Sequence, residues 1–541
     1  MAVHQRTLIQ MPSTIPPTQN AVILKFGGGL NTRASDDQIA DTECADGRNF
    51  ALDLENKEAQ PRAPINLVAT ATNAGAIRGF AQLLKRDGTV KTLVQAGTKV
   101  YEWDGASSFT DTGVTVNANA KLRGHLWHNW TLDQKVIITD IGLVENVKEY
   151  DGTTFQDVTF TGGTNFKAKY CFVDKERAFY GNVEESGTAV PHMLVGSQVE
   201  DYTTISVADK PSSSLAVTDP FYILTPDLRP LNSVVSAFGQ VVMSSREGSI
   251  FVLNGSSSQD YAINSLYPRS FCSGDEAMAF IGNDIAYGRP GRIESLMATN
   301  AYGDVESNDI SRKIANQIES EKEWMTVYNG RLDRVYFFPS GTDRVWVLHK
   351  SLLVDSSSNV SPWSLWTTTA SFGLSPSCAM SLIDPQTGLE NVFFGDESGN
   401  IYRLDGTGTS GDGGTTNIEV SRTSKLFPVP LNADAAYVEG WIKYRRQEET
   451  SITIDILWGG QSLIDKSITM TLPGAATRAL YGGGYYYSDS QYYGASFRAR
   501  LIRQPLAIGG RGSDIQIKIS TNGTSSYAIN EIGIRFVEAK T

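Results

Sequence analysis

Histidines, cysteines and carboxylate pairs are the residues of this chain whose types could do chemistry. His125-Leu126-Trp127-His128 sets two imidazoles three residues apart. A zinc hydrolase needs H-E-x-x-H on a helix, so that two ligands and a general base share one face. Neither the glutamate nor a second carboxylate pattern accompanies this pair, and His4, His192 and His349 stand alone. The histidines are therefore read as ordinary polar residues on or between strands. Asp275-Glu276, Asp396-Glu397 and the run Glu319, Glu321, Glu323 are carboxylates that a glycosidase could use. That chemistry needs two of them flanking one bond, and it turns on their separation in space. G-x-S-x-G is absent, so a nucleophile elbow has no support. Cys44, Cys171, Cys272 and Cys378 are scattered and form no C-x-x-C pair, which points to a reducing compartment without a disulfide framework or a zinc site.

Phe26-Gly27-Gly28-Gly29-Leu30 invites a phosphate-loop reading. It lacks both the Gly-Lys-Ser/Thr ending and the G-x-G-x-x-G spacing that cradle phosphate, so the glycines are read as permitting an unusual backbone turn. No catalytic residue, metal ligand or cofactor is assigned.

The elements that would position any site are strands. Gly248-Ser249-Ile250-Phe251-Val252-Leu253-Asn254-Gly255 has near-copies ending at Gly105, Gly152 and Gly406, and degraded ones at Ile293 to Leu296 and Val345 to Leu348. Their starts at 100, 147, 250, 293, 345 and 401 leave one wide gap, which implies an unrecognised copy near 200. Upstream of most lies another β-rich run across a Gly-containing turn, a hairpin pattern. A strand-built repeat of about 40 to 50 residues is what propeller blades show. The fold class is thus all-β: a β-propeller-like repeat array, a C-terminal β-sandwich-like domain and an extended N-terminal arm.

Residues 1–74 read as that arm followed by a short helix, capped near Ser35-Asp36-Asp37 and running toward Asn49. The repeats occupy 75–410. Within them Asn308-Asp309 can cap a helix carrying Ile310, Ile314 and Ile318. Residues 411–416 close a Gly/Thr-rich linker, and 417–541 alternate like an antiparallel sandwich. Tyr481, Tyr485, Tyr486, Tyr487, Tyr492 and Tyr493 lie in a Gly-rich loop suited to an interface or a distal tip, or to a sugar platform.

The net charge of −12 disfavours gripping nucleic acid through its phosphates. An acidic wall would let DNA pass without sticking. No apolar run is long enough for a membrane span, and the polar start offers no signal peptide.

Phe26-Gly27-Gly28-Gly29-Leu30-Asn31-Thr32-Arg33, with Ile39, Glu43, Asn49 and Pro61-Arg62 after it, resembles the opening of tail nozzle proteins of short-tailed bacteriophages, the tail tubular protein B type and related head-to-tail stabilisation proteins. Gly248-Ser249-Ile250-Phe251, Ser311-Arg312-Lys313-Ile314, Trp363-Ser364-Leu365-Trp366, Gly399-Asn400-Ile401-Tyr402 and the stretch Leu506 to Gly512 are similar in style to the same family. The resemblance implies a structural virion protein assembled in the host cytoplasm, in a ring of identical subunits, six in number. Such a ring would sit below the portal and adaptor rings, contact tail fibres or tailspikes, and extend the channel through which genomic DNA is retained and ejected. A glycan-binding or glycan-cleaving propeller is the alternative.

Overall fold

The computed structural model describes residues 20–53, 58–71, 75–129, 134–237, 240–267, 269–282, 284–298, 305–354, 360–367, 376–406, 412–413, 416–428, 434–445, 449–458, 466–472, 501–506, 510–512, 514–523 and 527–539. Among these, seven four-stranded antiparallel units follow one another round a closed ring. Their first strands begin at Ile77, Leu122, Lys167, Leu231, Met278, Trp324 and Cys378. Each first strand neighbours the next, and Cys378–Ile383 returns to Ile77–Leu84 to close the circle. This is a seven-bladed propeller.

The sequence signatures are all third strands of blades: Lys99–Trp103, Lys148–Tyr150, Ile250–Asn254, Arg292–Ala298, Arg344–His349 and Asn400–Arg403. The copy expected near 200 is Thr188–Gly196. Its sequence, Thr-Ala-Val-Pro-His-Met-Leu-Val-Gly, carries a proline and lacks the Asp-Gly turn, which hid it. Third strands are sandwiched between blades on both faces, so Val345, Trp346, Val347 and Leu348 are all fully buried and no polar alternation survives.

The seventh blade takes its fourth strand from elsewhere in the chain. Asn66–Thr70, which precedes the first blade, pairs antiparallel with Asn400–Arg403. The ring is thereby fastened by hydrogen bonds between residues more than 300 positions apart.

The second domain is a sandwich of two antiparallel sheets. One holds Phe50–Asp53, Glu58–Pro61, Ala528–Ala539, Asp434–Arg445 and Leu501–Leu506, with Asn20–Lys25 on the open side of Ala528–Ala539 and Gly510–Gly512 on Asp434–Arg445. The other holds Cys44–Arg48, Ile418–Ser424, Asp514–Gly523, Thr450–Trp458 and Lys466–Leu472, with Phe427–Pro428 on Asp514–Gly523. Their inner faces meet in a core that includes Leu24, Phe26, Ile442, Ile454, Ile517, Ile532 and Phe536.

Several expectations are corrected here. The chain between Ser35 and Asn49 is turns followed by the strand Cys44–Arg48, not a helix, because Asp46 to Arg48 pair with Ser421 to Thr423. Asn20–Lys25, the end of the expected arm, is a sandwich strand, as are Cys44–Arg48, Phe50–Asp53 and Glu58–Pro61, and Asn66–Thr70 belongs to the propeller. The boundary expected at 74 does not separate domains. The remainder of the arm, residues 1–19, lies outside the described residues. Around Ile310 to Ile318 the helix shrinks to a single turn of 3-10 at Arg312–Ile314 and one of α at Ala315–Ile318. Ile310, Ile314 and Ile318 are nonetheless all buried. Among the described residues no helix is long and apolar enough to cross a membrane.

Asp284, which opens the second strand of the fifth blade, is a buried carboxyl in this framework. Burial pushes it up to about 6, against hydrogen bonds from Ile285 and Ser295 and the charge of Lys350, which pull it down. The folded chain thus holds this proton more tightly than the unfolded chain, and the residue's contribution to stability falls as pH rises from about 4 to about 6. Asp284→Asn is expected to raise the unfolding free energy at pH 7.5 by roughly 1–3 kcal/mol, with the gain closing below pH 4. Urea midpoints of parent and variant at both pH values check this, and a difference independent of pH would refute it.

Candidate functional site

Two places in the molecule bring together residues singled out by sequence. The first is the propeller axis. A cavity of about 360 Å³ is lined by the inner strands, with Arg123, His125, Lys169, Tyr170, Asp275 and Glu276 among its walls. Adjoining it, a cavity of about 300 Å³ holds Asp275, Glu276, Glu323 and Glu397 at one mouth of the axis. Four of the carboxylates named from sequence therefore converge, although they come from three separate stretches of chain. Glu319, Glu321 and Asp396 do not line it, and Asp396 instead accepts from Ser398 N and Asn400 N in a turn at 2.9 and 2.8 Å.

The axial carboxylates are engaged. Arg123 forks onto Glu276, with Nη2 donating to Oε2 at 2.6 Å and Nε to Oε1. That partner raises the guanidinium's affinity for its proton despite burial. Tyr170 donates its hydroxyl to Asp275 at 3.2 Å, Lys169 stands 3.7 Å from the same carboxylate, and Arg78 pairs with Glu397 at 3.0 Å. His125 faces the same cavity, and desolvation with the neighbouring Arg123 charge lowers it to about 4, so it is neutral at neutral pH. Sequence reading missed Arg123, Lys169 and Tyr170, because nothing in their local spacing marks a strand as innermost.

The second place is the seam between the domains, where the N-terminal glycine motif lies. Gly29 N donates to Ser361 O and Leu30 N to Trp363 O, both at 2.8 Å, so the motif runs alongside the outermost strand of the sixth blade, Trp363–Thr367. A Cβ at Gly29 would stand 2.2 Å from Trp363 O and 2.7 Å from Ser361 O. The glycine serves close backbone approach rather than an unusual turn. Further along, Asn49 adopts φ 59°, its N donates to Leu365 O, and its Oδ1 accepts from Thr367 N at 2.7 Å.

Charged groups complete the seam. Glu43 is buried and accepts from Ser361 N and Lys313 Nζ, each at 2.6 Å, and from Asn31 Nδ2 at 2.7 Å. Arg62 is fully buried and forks onto Asp412, with Nη1 to Oδ1 at 2.8 Å and Nη2 to Oδ2. Its Nε reaches Asn49 Oδ1 at 3.0 Å. Asp412 also accepts from Ile65 N at 2.9 Å. It lies in the Gly/Thr-rich stretch read as a linker, and a lone acid among glycines was the available signal. Ser311-Arg312-Lys313-Ile314, Trp363-Ser364-Leu365-Trp366 and the segment from Phe26 to Arg62 thus meet at one seam.

Tyr481, Tyr485, Tyr486, Tyr487, Tyr492 and Tyr493 lie outside the described residues. The four cysteines are all buried and unpaired, and burial raises Cys44 and Cys378 to about 11 and Cys272 to about 12. Among the described residues no group of three or more His, Cys, Asp or Glu is placed to hold a metal ion.

No family model and no curated protein matches this sequence. Solved structures that it is similar to include the extracellular domain of a putative hybrid two-component system from B. thetaiotaomicron, at 8% identity and TM-score 0.39, over 75% of this chain and 47% of that one. The chain spans about half the length of that relative. The WD40 domain of Toxoplasma gondii coronin shares 9% identity at TM-score 0.38, over 66% and 87% of the two chains. The β-propeller domain of Myceliophteria thermophila Cps50 (Swd1) shares 8% at 0.39, over 64% and 100%.

Proposed function

We propose that this chain is a ring-forming structural subunit of the tail nozzle of a short-tailed bacteriophage. The observation that carries the reading is the seam. The segments whose sequence resembles nozzle proteins, from Phe26 to Arg62 with Lys313 and Trp363 to Trp366, converge there and bind the two domains to each other. A subunit that must transmit load between neighbouring rings needs its domains held rigidly, and buried ion pairs with backbone hydrogen bonds do that. In this reading the duplex does not follow the propeller axis. That axis holds cavities of about 300 and 360 Å³ crossed by the Arg123–Glu276 pair, while the major groove of DNA alone is about 12 Å wide. The DNA conduit would be the space enclosed by six subunits, with the chain's net charge of −12 keeping phosphates from adhering to its wall.

Light scattering of the purified protein, with negative-stain images of the same fraction, tests this. The expected result is a species of six times the chain mass, seen as rings with a central hole, either alone or after incubation with portal and adaptor rings. A chain that stays monomeric in both conditions overturns the proposal. A second reading, a glycan-binding or glycan-cleaving propeller, is favoured by the meeting of Asp275, Glu276, Glu323 and Glu397 beside Tyr170 at the axis. Binding or turnover of a host polysaccharide that Glu276→Gln abolishes would support it over the nozzle.

A further inference from the structure

Where the sandwich meets the sixth and seventh blades, three arginines share one cavity. Its volume is about 280 Å³, and its walls include Arg331, Arg334 and Arg403, with Asp405 the one carboxylate among the described walls. In a chain of net charge −12 this is a local reversal of sign. Ala51, Gln60 and Pro61 contribute the sandwich side.

The guanidiniums are held in place from behind. Arg331, on the turn between the first two strands of the sixth blade, donates from Nε to Glu390 O at 2.8 Å and from Nη2 to Asn391 Oδ1 at 2.9 Å. Both bonds use one edge of the group. The end-on fork, Nη1 with the second hydrogen of Nη2, has no acceptor among the described residues, and that fork matches an oxyanion. Asn391 Nδ2 in turn donates to Asp384 Oδ2 at 3.5 Å, and the same oxygen accepts from Arg403 Nη1 at 3.1 Å. One amide and one carboxylate thus set Arg331 and Arg403 side by side. Arg334 completes the group, anchored through Nη1 on Asp405 at 2.5 Å.

The charges favour an anion. Asp405 pairs with Arg334 and Asp384 with Arg403, while Arg331 has no carboxylate partner for its side chain among the described residues. Glu390 is near, but its oxygens accept from Gly330 N, Arg331 N and Ser381 Oγ, and neither Glu390 nor the buried Asp384 is among the walls.

We infer that this cavity binds a phosphate dianion, free or as a small monoester. A tetrahedral phosphate presents several oxygens to guanidiniums arriving from two blades, whereas a planar carboxylate is satisfied by a single fork. The volume exceeds what one phosphate fills, and Gln60, Thr387 and the apolar Pro61 and Leu389 remain to contact an organic group. Because the walls come from both domains, the occupied site ties the sandwich to the propeller. It stands independently of the nozzle reading.

Isothermal titration calorimetry of the full chain with inorganic phosphate and with glycerol phosphate, at neutral pH and an ionic strength held constant with sodium chloride, tests this. Saturable one-to-one binding is expected. Equal affinities identify free phosphate as the ligand, and a tighter ester shows the organic group seated. Arg331→Met, at an exposed position, is expected to weaken binding about tenfold or more through loss of a charge-assisted fork. Leu389→Asp sets a carboxylate at a wall residue that is 51% exposed, and it should weaken binding by repulsion with an unchanged circular dichroism spectrum. No saturable heat with either probe, citrate binding as tightly as phosphate, or affinities that both variants leave unchanged would overturn the inference.

Discussion

Asp412→Ala is expected to lower the unfolding free energy by about 3–5 kcal/mol and to split one cooperative transition into two. The carboxylate and Arg62 are both fully buried, and removing one partner leaves the other as an uncompensated charge. The loss extends beyond the pair, since Asp412 also accepts from Ile65 N, at the entrance to the strand that closes the propeller. Arg62 in turn donates through Nε to Asn49, which holds Thr367 N of the sixth blade. Differential scanning calorimetry of parent and variant should show a propeller and a sandwich melting separately in the variant. A single unshifted transition would sink the idea that this ion pair couples the domains. Arg62→Met together with Asp412→Leu, which replaces both charges by apolar groups, should recover most of the lost stability, as buried ion pairs can when removed together.

A chain that begins at residue 75 should not fold at all. It lacks the outermost strand of the seventh blade and four strands of the sandwich. Leu24, Phe26, Leu30, Phe50, Leu52 and Ile65 are each no more than 3% exposed, and burying such a side chain contributes about 1.5–3 kcal/mol. Six of them amount to roughly the whole stability of an ordinary domain, about 5–15 kcal/mol. Insoluble expression, or a soluble product without near-ultraviolet circular dichroism, is the expected outcome. Supplying residues 1–74 as a separate chain should restore the native spectrum. A truncated chain that melts cooperatively on its own would show the N-terminal strands to be dispensable.

These outcomes bear on what could be read before the fold was known. Third strands of the blades were legible where they are short, apolar and closed by Asp-Gly or Asn-Gly, as at Gly105, Gly152, Gly255 and Gly406, all local properties. First strands were not, because Leu122 to His128 or Lys167 to Asp174 look like any half-buried strand and only ring closure makes them line an axis. Ile310, Ile314 and Ile318 reported burial correctly but not helix length, since their spacing is also met by two short turns. Cys44–Arg48 has no β-branched residue, and its strand conformation comes from pairing with a segment some 375 residues away. The axial carboxylates were each visible, and their meeting was not, because Asp275, Glu323 and Glu397 belong to different blades or the loops between them. The seam was half legible: its glycines and charged residues stood out in sequence, while the blade edge they press against did not.

Asn20 pairs with Phe536, and the strand that fastens the propeller is made before any blade. On the ribosome, Asn20–Lys25 therefore waits for its partner until Ala528–Ala539 has been synthesised. At about 5–20 residues per second that wait is roughly half a minute to two minutes, during which unpaired apolar edges invite chaperones. A ribosome that stalls before Ala528 releases a product in which Asn20–Lys25 and Asp434–Arg445 lack the strand between them. Such a product exposes those edges to proteolysis instead of offering a docking surface. The topology thus makes burial of the first described strand conditional on synthesis of the last.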